Sequence, residues 1–387
     1  MKFTDCVEIV GSKPTLYEGT KQYVSTGAVE EYFINKKSIE EYTYNDRPSR
    51  ADLVGKDGDI LFAKMAETKK TLIINKETEK YLFSTGFFAI RPRNGVITTK
   101  CLYYLLNSKT FLSQKDKNSS GATQKAITNI GLEKINVNIP PFSKQEQISK
   151  QFDVLTNIIN KSHKQLENLD LLIKSRFIEM FGDPVNNPMN WEIKPMGELL
   201  SLLTDFSSNG SYKTLDSNVI MYDEPNYALM IRTTDLESGD FSNNVKWVDE
   251  KAYNLLSKSK VFGKEIIMNK IGSAGKVYLM PELNRPVTLG RNAFLFRYKE
   301  NINSVYIYFL LTSEYGQNEI KPYIRGAVTK TITKDDARKI RIPVPPITLQ
   351  NNFAAFVQQI DKSKFAVQQS LEKAETLYKS LMQEYFG

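Results

Sequence analysis

Mostly hydrophobic residues recur at alternating spacings of four and three along two stretches of the chain. In the first stretch they are Ile148, Phe152, Leu155, Ile159, Ser162, Leu166, Leu169, Ile173, Arg176 and Met180. In the second they are Phe353, Val357, Ile360, Lys364, Val367, Leu371, Ala374, Tyr378, Leu381 and Tyr385. This heptad seam is typical of a helix that packs lengthwise against another helix. We predict two helices of about 38 residues, each about 55 Å long at the usual helical rise.

A pair of prolines precedes each seam, at 140–141 and at 345–346. Proline inside a helix removes a backbone hydrogen bond and clashes with the preceding turn, so each pair marks where a helix begins. Ser143 and Thr348 come just after the prolines, and we predict them as the N-caps of the two helices.

The remainder of the chain shows short runs of β-favouring residues separated by glycine and proline. The predicted strands include residues 60–63, 87–90, 266–268 and 293–296, and short helices are predicted over 99–108 and 304–313. We interpret residues 1–143 and 184–343 as two compact mixed domains, called the first head and the second head.

The two heads and the two seams are copies of one repeating unit. From the proline pairs to the Phe-Gly dipeptides at 181–182 and 386–387, the copies align at a shift of 205 residues without a gap. Upstream, a shift of 206 aligns Asp59 with Glu265, Lys64 with Lys270, and Arg91 with Arg297. At the start, Lys2 aligns with Lys194 at a shift of 192, which gives the second copy about 14 extra residues in its early part.

These patterns predict an α+β fold with an internal pseudo-two-fold repeat. Two mixed α/β domains would be separated by two long antiparallel coiled-coil helices. The predicted boundaries are 1–143 for the first head, 144–183 for the first helix, 184–343 for the second head and 344–387 for the second helix. One seam alone would expose its hydrophobic face, whereas two antiparallel seams would cover each other and hold the heads apart at opposite ends.

The composition excludes several classes of chemistry. The chain is 41% hydrophobic and 25% charged, which is ordinary for a folded protein. Two cysteines, Cys6 and Cys101, and one histidine, His163, are too few for a zinc site built from Cys and His or for a disulfide framework. Sparse cysteine fits a reducing cytosol, and no segment reaches the roughly 18–20 apolar residues of a membrane span.

Three short motifs would suit an enzyme, and each is incomplete. Residues 138–142 differ from the Asn/Asp-Pro-Pro-aromatic loop of amino-methyltransferases, because an isoleucine separates the asparagine from the prolines. Residues 272–277 are too short for a phosphate-binding loop and lack its Ser/Thr after lysine. Glu192 and Lys194 could serve a metal nuclease only if the fold brought another carboxylate close. We therefore predict neither catalytic residues nor a metal site in this chain.

The doubled features resemble the specificity (S) subunit of type I restriction-modification systems over essentially the whole chain. The motifs that carry the resemblance are the Pro-Pro-[Phe/Ile]-x-x-Gln segments ending at Gln145 and Gln350, the helix ends at 179–184 and 384–387, the restart at 191–194 and the strand at 58–64. Each motif alone is weak, but their order, doubled at one period, is specific. No further conserved stretch precedes the first head, so the join between the copies would rest on the second helix alone.

The resemblance implies a non-catalytic DNA sequence-specificity subunit, with each head acting as a target-recognition domain for one half of an asymmetric, bipartite site in double-stranded DNA. It implies that two methyltransferase (M) subunits bind the helices and that restriction (R) subunits complete the complex. S-adenosylmethionine, ATP and magnesium would serve those partners, in the cytoplasm of a bacterium or archaeon. The alternative left open is a coiled-coil adaptor with two protein-binding heads and no DNA function.

Positive charge is concentrated on the heads, as contact with phosphates requires. The chain has a net charge of +8; the first head has 21 basic and 16 acidic residues, and the second has 21 and 18. A coiled-coil adaptor could also carry such an excess, so charge alone does not decide between the two functions.

Two equivalent loops and the early part of each head supply the candidate DNA contacts. The candidates in the loops are Lys115, Lys117, Gln124 and Lys125 in the first head, with Arg325 and Lys330 in the second. Those in the early parts, where the copies diverge, are Arg47, Arg50 and Arg232. Lysines suit phosphates, whereas Gln124 and Arg325 have the forked geometry that reads base edges. Solvated surface loops would show the same residue types.

Overall fold

The computed structural model describes residues 1–30 and 33–387. The chain divides into two compact units: unit 1 is Met1–Gln165 with Ala366–Gly387, and unit 2 is Leu166–Phe365. Both boundaries between the units lie inside the long helices. Each unit therefore consists of one head with a half of each helix.

Unit 1 contains the first head. Its strands are β1 Val7–Val10, β2 Lys21–Val24, β3 Val29–Glu30, β4 Phe33–Ile34, β5 Glu40–Tyr42, β6 Ile60–Ala63, β7 Thr71–Ile73, β8 Leu82–Phe83 and β9 Phe87–Pro92. Its helices are α1 Phe3–Cys6, α2 Thr99–Leu106, α3 Lys109–Lys117, α4 Asn129–Leu132 and the beginning of α5 Phe142–Phe181. One antiparallel sheet has the order β1-β9-β6-β7, and a second has the order β5-β2-β8 with β2 and β8 parallel.

Unit 2 contains the second head. Its strands are β10 Glu192–Pro195, β11 Leu200–Asp205, β12 Ala228–Ile231, β13 Lys246–Val248, β14 Lys260–Val261, β15 Ile266–Asn269, β16 Val277–Leu279, β17 Val287–Leu289, β18 Ala293–Tyr298 and β19 Arg341–Val344. Its helices are α6 Met196–Leu199, α7 Tyr212–Asn218, α8 Thr233–Ser238, α9 Glu250–Leu255, α10 Ser304–Thr312, α11 Glu314–Ile320, α12 Lys334–Arg338 and the beginning of α13 Ile347–Phe386. The sheet β11-β18-β15-β16 and the sheet β13-β12-β17-β14, with β12 and β17 parallel, correspond to the two sheets of unit 1, with β14 as an additional edge strand.

The repeat predicted from the sequence is confirmed by equivalent ion pairs as well as by topology. Arg91 Nε donates to Asp59 Oδ1 at 2.8 Å, and the aligned Arg297 donates to Glu265 Oε1 at 3.1 Å. Each pair links the residue just before one central strand, β6 or β15, to the neighbouring central strand, β9 or β18, and the carboxylates are almost fully buried. The carboxylate therefore needs its arginine, because an unpaired buried charge is costly.

The predicted alignment at the chain start is wrong by one residue. Phe3 N donates to Ile135 O at 2.9 Å, and Met196 N donates to Ile340 O at 2.7 Å in the same place of the second copy. Phe3 therefore corresponds to Met196, a shift of 193. The register is set by Phe3 and Met196, because both side chains are fully buried. The match between Lys2 and Lys194 does not set it.

The short helices that follow β9 and β18 are confirmed, with earlier ends than predicted. α2 ends at Leu106 because Ser108 accepts a hydrogen bond from Phe111 N and caps α3. In the second head, Ser313 caps α11 in the same way by accepting from Gly316 N. A cap residue has extended backbone and cannot continue the preceding helix.

Both long helices begin directly after their proline pairs, so the predicted N-caps at Ser143 and Thr348 are wrong. α5 starts at Phe142 and α13 at Ile347, which places both residues inside the first helical turn. Lys144 N already donates to Pro141 O at 2.8 Å. Proline is suited to a helix start because its missing N–H needs no partner there.

A buried glutamine attaches each long helix to its own head. Gln145 is fully buried; its amide donates to the carbonyls of Val96 and Pro140, and its oxygen accepts from Thr98 N at 2.8 Å. Gln350 repeats this with Pro345 O and Asn303 N. The glutamine of the doubled motif is therefore a structural anchor.

The seams are confirmed as buried faces. All ten seam positions of α5 and all ten of α13 are buried or half-buried. In unit 1, Phe152 of α5 packs against Phe386 of α13. His163 follows Phe152 along α5, and its Nε2 lies 3.9 Å from Oε1 of Glu375, which precedes Phe386 along α13. The two helices are therefore antiparallel within this unit.

The helices of unit 2 show the same antiparallel direction. Phe181 packs against Phe353 with ring centroids 5.5 Å apart, and Asp170, earlier in α5, pairs with Lys364, later in α13. Phe181 also contacts Tyr306 of the second head. Each long helix therefore begins on one head and ends in the aromatic core of the other.

Candidate nucleic-acid interface

Two loops of the first head are joined by backbone hydrogen bonds. Loop 64–70 connects β6 to β7, and loop 118–126 connects α3 to α4; together they are called the first loop pair. Met65 and Ala126 form a β-bridge, and Ala66 N donates to Lys125 O at 3.0 Å. The conformation of one loop therefore depends on that of the other.

The second head holds an equivalent second loop pair, 270–276 with 323–331. Ile271 and Thr331 form the corresponding bridge, and Gly272 N donates to Lys330 O at 2.9 Å. The backbone frame of this region is thus the same in both heads, although the side chains differ.

A glycine at the same place shapes both longer loops. Gly121 has φ +138° and Gly326 has φ +99°. A Cβ on either would lie 2.5 Å or 2.2 Å from the carbonyl oxygen of Gln124 or Thr329, respectively. Any other residue would open the loop, because L-residues rarely adopt this conformation and the carbonyl leaves no space.

Several predicted contact residues project from the loop pairs or lie directly beside them. Lys117, Lys125 and Lys330 are exposed, and their ammonium groups have no ion-pair partner among the described residues. Gln124 is exposed and donates to Met65 Sδ at 2.8 Å. The side chain of Arg325 is 69% exposed and pairs with Asp336 at 3.1 Å. These five residues remain candidates for DNA contact.

Lys115 is the exception, and its predicted role as a direct contact needs correction. Its side chain is 1% exposed, and its ammonium donates to the carbonyls of Met65 and Thr68 at 2.7 and 2.9 Å. Burial lowers the pKa of Lys115, and nearby Asp116 opposes that shift. The ammonium is thus committed to the protein's own backbone and cannot reach a phosphate.

The candidates in the early parts of the heads are mostly engaged in local contacts. Arg47 stacks on Tyr44 and donates to Asp52 at 3.3 Å, and Arg232 makes a two-pronged ion pair with Asp235. Arg50 is exposed. The structure thus leaves Arg50 open to solvent and gives Arg47 and Arg232 structural partners.

An ion cluster in the second head was not predicted from the sequence. Asp205, at the end of β11, accepts from Lys270 at 2.8 Å, Lys334 at 2.7 Å and Ser208 Oγ at 2.7 Å. The cluster lines a cleft of about 560 Å³ beside Ile271 and Thr331 of the second loop pair. In the first head the equivalent Lys64 instead donates to Thr85 O at 2.8 Å. The alignment of Lys64 with Lys270 marks this position in the sequence, but the sequence does not show that Lys270 pairs with Asp205.

The Asp205 cluster should make the stability of unit 2 sensitive to acid. Burial alone would raise the pKa of Asp205, but hydrogen bonds from Lys270, Lys334 and Ser208 lower it to about 2. A carboxylate with a depressed folded-state pKa stabilises the protein above its unfolded pKa of about 3.9, and this contribution is lost as the pH falls through about 2.

We expect the wild type to lose about 2 kcal/mol more unfolding free energy than Asp205→Asn between pH 4 and pH 2. Urea unfolding at a series of pH values measures the difference. Asp57→Asn, which changes an exposed carboxylate of the first head, is the control. Identical pH profiles for the wild type and Asp205→Asn would contradict the assigned ion cluster.

The residues considered above for thiol, metal or nuclease chemistry are the two cysteines and the pair Glu192 and Lys194. Cys6 and Cys101 are buried free thiols, and burial raises the pKa of Cys101 to about 12. Glu192 pairs with Lys194 at 3.0 Å on β10. In the part of the chain that the structure describes, no group of three or more His, Cys, Asp or Glu side chains is placed to hold a metal ion.

Comparison with known proteins decides the family. The sequence pattern of the type I restriction modification DNA specificity domain matches residues 9–169 and again residues 188–375. The chain belongs to this family. The doubled match coincides with the two copies found in the sequence, and the adaptor alternative is not favoured. As a member of the family, the chain is a DNA sequence-specificity subunit.

Individual relatives of this specificity subunit are distant in sequence and align with most of the chain. The type I restriction enzyme MjaVIII specificity subunit of Methanocaldococcus jannaschii is 22% identical, with 97% of this chain and 88% of the relative aligned. The EcoBI specificity subunit of Escherichia coli is 20% identical, with 95% and 75% aligned.

A crystal structure of the type I restriction-modification S subunit from M. genitalium shows the same fold. It has a TM-score of 0.60 at 14% identity, with 100% of this chain and 95% of that chain covered. Within the described residues of the specificity subunit, no helix is long and apolar enough to cross a bilayer.

Proposed function

We propose that this specificity subunit directs a methyltransferase to an asymmetric, bipartite DNA site, with one half-site read by each head. The observation that carries the proposal is the pair of equivalent loop frames with unlike side chains. Gln124 occupies the place of Thr329, and Ser120 occupies the place of Arg325. Equal frames with different hydrogen-bonding groups would present different patterns to base edges, so the two half-sites would differ.

The exposed lysines of the loop pairs would supply the sequence-independent part of binding. Lys125 and Lys330 lie at equivalent places, and each has a free ammonium among the described residues. Phosphate contacts by such groups fix the position of a protein on the duplex without carrying sequence information. The same interactions release counterions, so binding should weaken as salt rises.

Exposed apolar residues on the long helices support two methyltransferase subunits as partners. In unit 1 a groove of about 780 Å³ runs between the helices, where Val154 and Leu377 are about half exposed. In unit 2 Leu171, Leu172 and Phe365 are exposed. An apolar surface of this kind on a helix pair is suited to further helices of a partner.

Catalysis would belong to those partners and to restriction subunits. The relatives carry the name specificity subunit, and the described residues include no group placed for metal binding. Under this proposal S-adenosylmethionine, ATP and magnesium are bound by the M and R subunits. The complex would act in the cytoplasm of its bacterial or archaeal host, where the DNA is.

Methylation mapping of the host genome, with and without the gene for this chain, tests the function. We expect one interrupted, asymmetric motif to lose its methylation when the chain is absent and to regain it on complementation. The complex should also bind duplex DNA with a negative slope of log affinity against log salt. An unchanged methylation pattern together with a flat salt dependence would support the protein-binding adaptor instead.

A further inference from the structure

The two heads hold their equivalent loop pairs in place by different chemistry. In the first head the space beneath loop 64–70 is filled by Lys115, near the end of α3. The residue at the same place in the second head is Ile320, at the end of α11. Both side chains are buried to 1% exposure or less. One head therefore uses a buried ammonium where the other uses a hydrocarbon.

Lys115 donates hydrogen bonds to the backbone of a turn in loop 64–70. Its ammonium donates to Met65 O and Thr68 O, the carbonyls on either side of Glu67. Glu67 has φ +58°, which is uncommon for a residue other than glycine. From the other side, Asp116 Oδ1 accepts from Glu67 N at 2.9 Å. Neighbouring residues of α3 thus hold the turn by its carbonyls and by its amide.

This turn also contacts loop 118–126, which carries Gln124, the candidate for reading a base edge. Met65 pairs with Ala126, and its sulfur accepts from the amide of Gln124. Ala66 N donates to the carbonyl of Lys125. A continuous series of contacts therefore links the buried ammonium to Gln124 and Lys125.

The second head reaches the same frame through apolar packing. Gly275 lies against Ile320 and Ile324, and a Cβ on this glycine would lie 2.7 Å from Ile320 Cγ2. Gly272 N still donates to Lys330 O, as its counterpart does in the first head. The backbone frame is thus the same in both heads, although the buried group at this place is the Lys115 ammonium in the first head and the Ile320 hydrocarbon in the second.

We infer that Lys115 is a positioning residue for recognition of the first half-site, through its hold on residues 65–68. This inference rests on the proposed function. Lys115 touches no DNA in this scheme, and its charge serves only to orient the first loop pair. The second half-site is independent of Lys115, because Ile320 has the corresponding place in that head.

The test uses the full chain in complex with its methyltransferase subunits. Lys115→Met replaces the ammonium by an apolar group of similar length. Binding is measured against duplexes with the correct site, with one base pair changed in the first half-site, and with one changed in the second. We expect discrimination at the first half-site to fall by about tenfold, since two partly buried carbonyls lose their hydrogen-bond donor, and discrimination at the second to be unchanged.

Two further measurements separate positioning from direct contact. The salt slope should be unchanged in Lys115→Met, whereas loss of a phosphate contact would reduce it by about 0.9. Lys109→Met, at the exposed beginning of the same helix, is the matched control and should leave discrimination unaltered. A reduced slope with intact discrimination would overturn the inference.

A second variant guards against simple misfolding. Asp116→Ala removes the acceptor of Glu67 N and also the carboxylate 3.5 Å from the Lys115 ammonium, so it weakens both attachments of the turn. The Asp116 side chain is one-third exposed, so its removal leaves no buried cavity. We expect a loss of discrimination confined to the first half-site here too. If wild type discriminates at both half-sites and neither variant changes this, only the inference fails; if wild type shows no discrimination at all, the proposed function fails.

Discussion

Exchange of the first head for that of a family member with a different target should change one half of the methylated site completely and leave the other half as it was. Each head has its own pair of sheets and its own loop pair, so its readout depends on local contacts. The measurement is the methylation motif of cells that carry the chimeric chain in place of the natural one.

The structure indicates where the exchange should be made. The predicted boundary at residue 143 lies one residue inside α5, so the join is better placed after Pro141. The side chain of Gln145 hydrogen-bonds to backbone atoms of the head, at Val96, Thr98 and Pro140. Any donor head that presents the same backbone can therefore accept the anchor. Tyr104, whose hydroxyl donates to Asp153 at 2.7 Å, should be retained in the donor.

The reciprocal chimera is the control. Exchange of residues 184–343 should change the opposite half-site and spare the first. If either exchange altered both halves of the motif, or if both altered the same half, the assignment of one half-site to each head would be wrong.

Replacing Phe152 by alanine should lower the free energy of unfolding by about 4 kcal/mol. Phe152 is fully buried on α5 and packs against Tyr104, Tyr378 and Phe386, with ring centroids 4.8, 5.3 and 5.9 Å away. Its removal would leave a cavity at the place where the first head and both long helices of unit 1 meet. Denaturant unfolding of the full chain, followed by circular dichroism, measures the loss.

Phe365→Ala is the matched control, since it removes the same side chain from α13 where it is 65% exposed. We expect a change of less than about 0.5 kcal/mol for this variant. Equal effects of the two substitutions would show that Phe152 does not hold the helices to the head.

Local patterns in the sequence were sufficient for the main elements of the fold. All twenty positions of the heptad pattern are buried or half-buried, because a helix buries residues at fixed intervals whatever it packs against. Phe177, Phe181 and Phe386 also pack between the helices, outside the predicted pattern. The repeat predicted two heads of equal topology, since similar sequences bury similar residues. The pairing of Asp59 with Arg91 appeared in both copies as aligned residues of opposite charge.

The sequence could not predict which charged residues are free to bind. Lys115 and Lys117 are two positions apart on α3, and their identities are the same, yet one is buried and the other exposed. The difference arises because α3 turns Lys115 towards loop 64–70, which lies some 50 residues away in the chain. Arg47 and Arg232 stay predicted contacts, but their acidic partners Asp52 and Asp235 are recognisable only once the turns are folded.

The amino-acid sequence by itself determined the duplicated plan, the two long helices and their antiparallel seams, because these follow from periodicity and repetition along the chain. Only the tertiary structure decided that Lys115 supports a loop, that Asp205 collects two lysines and that Gln145 fastens the helix to the head. Those contacts join residues distant in sequence, and their energies depend on burial, which no local pattern of charges specifies.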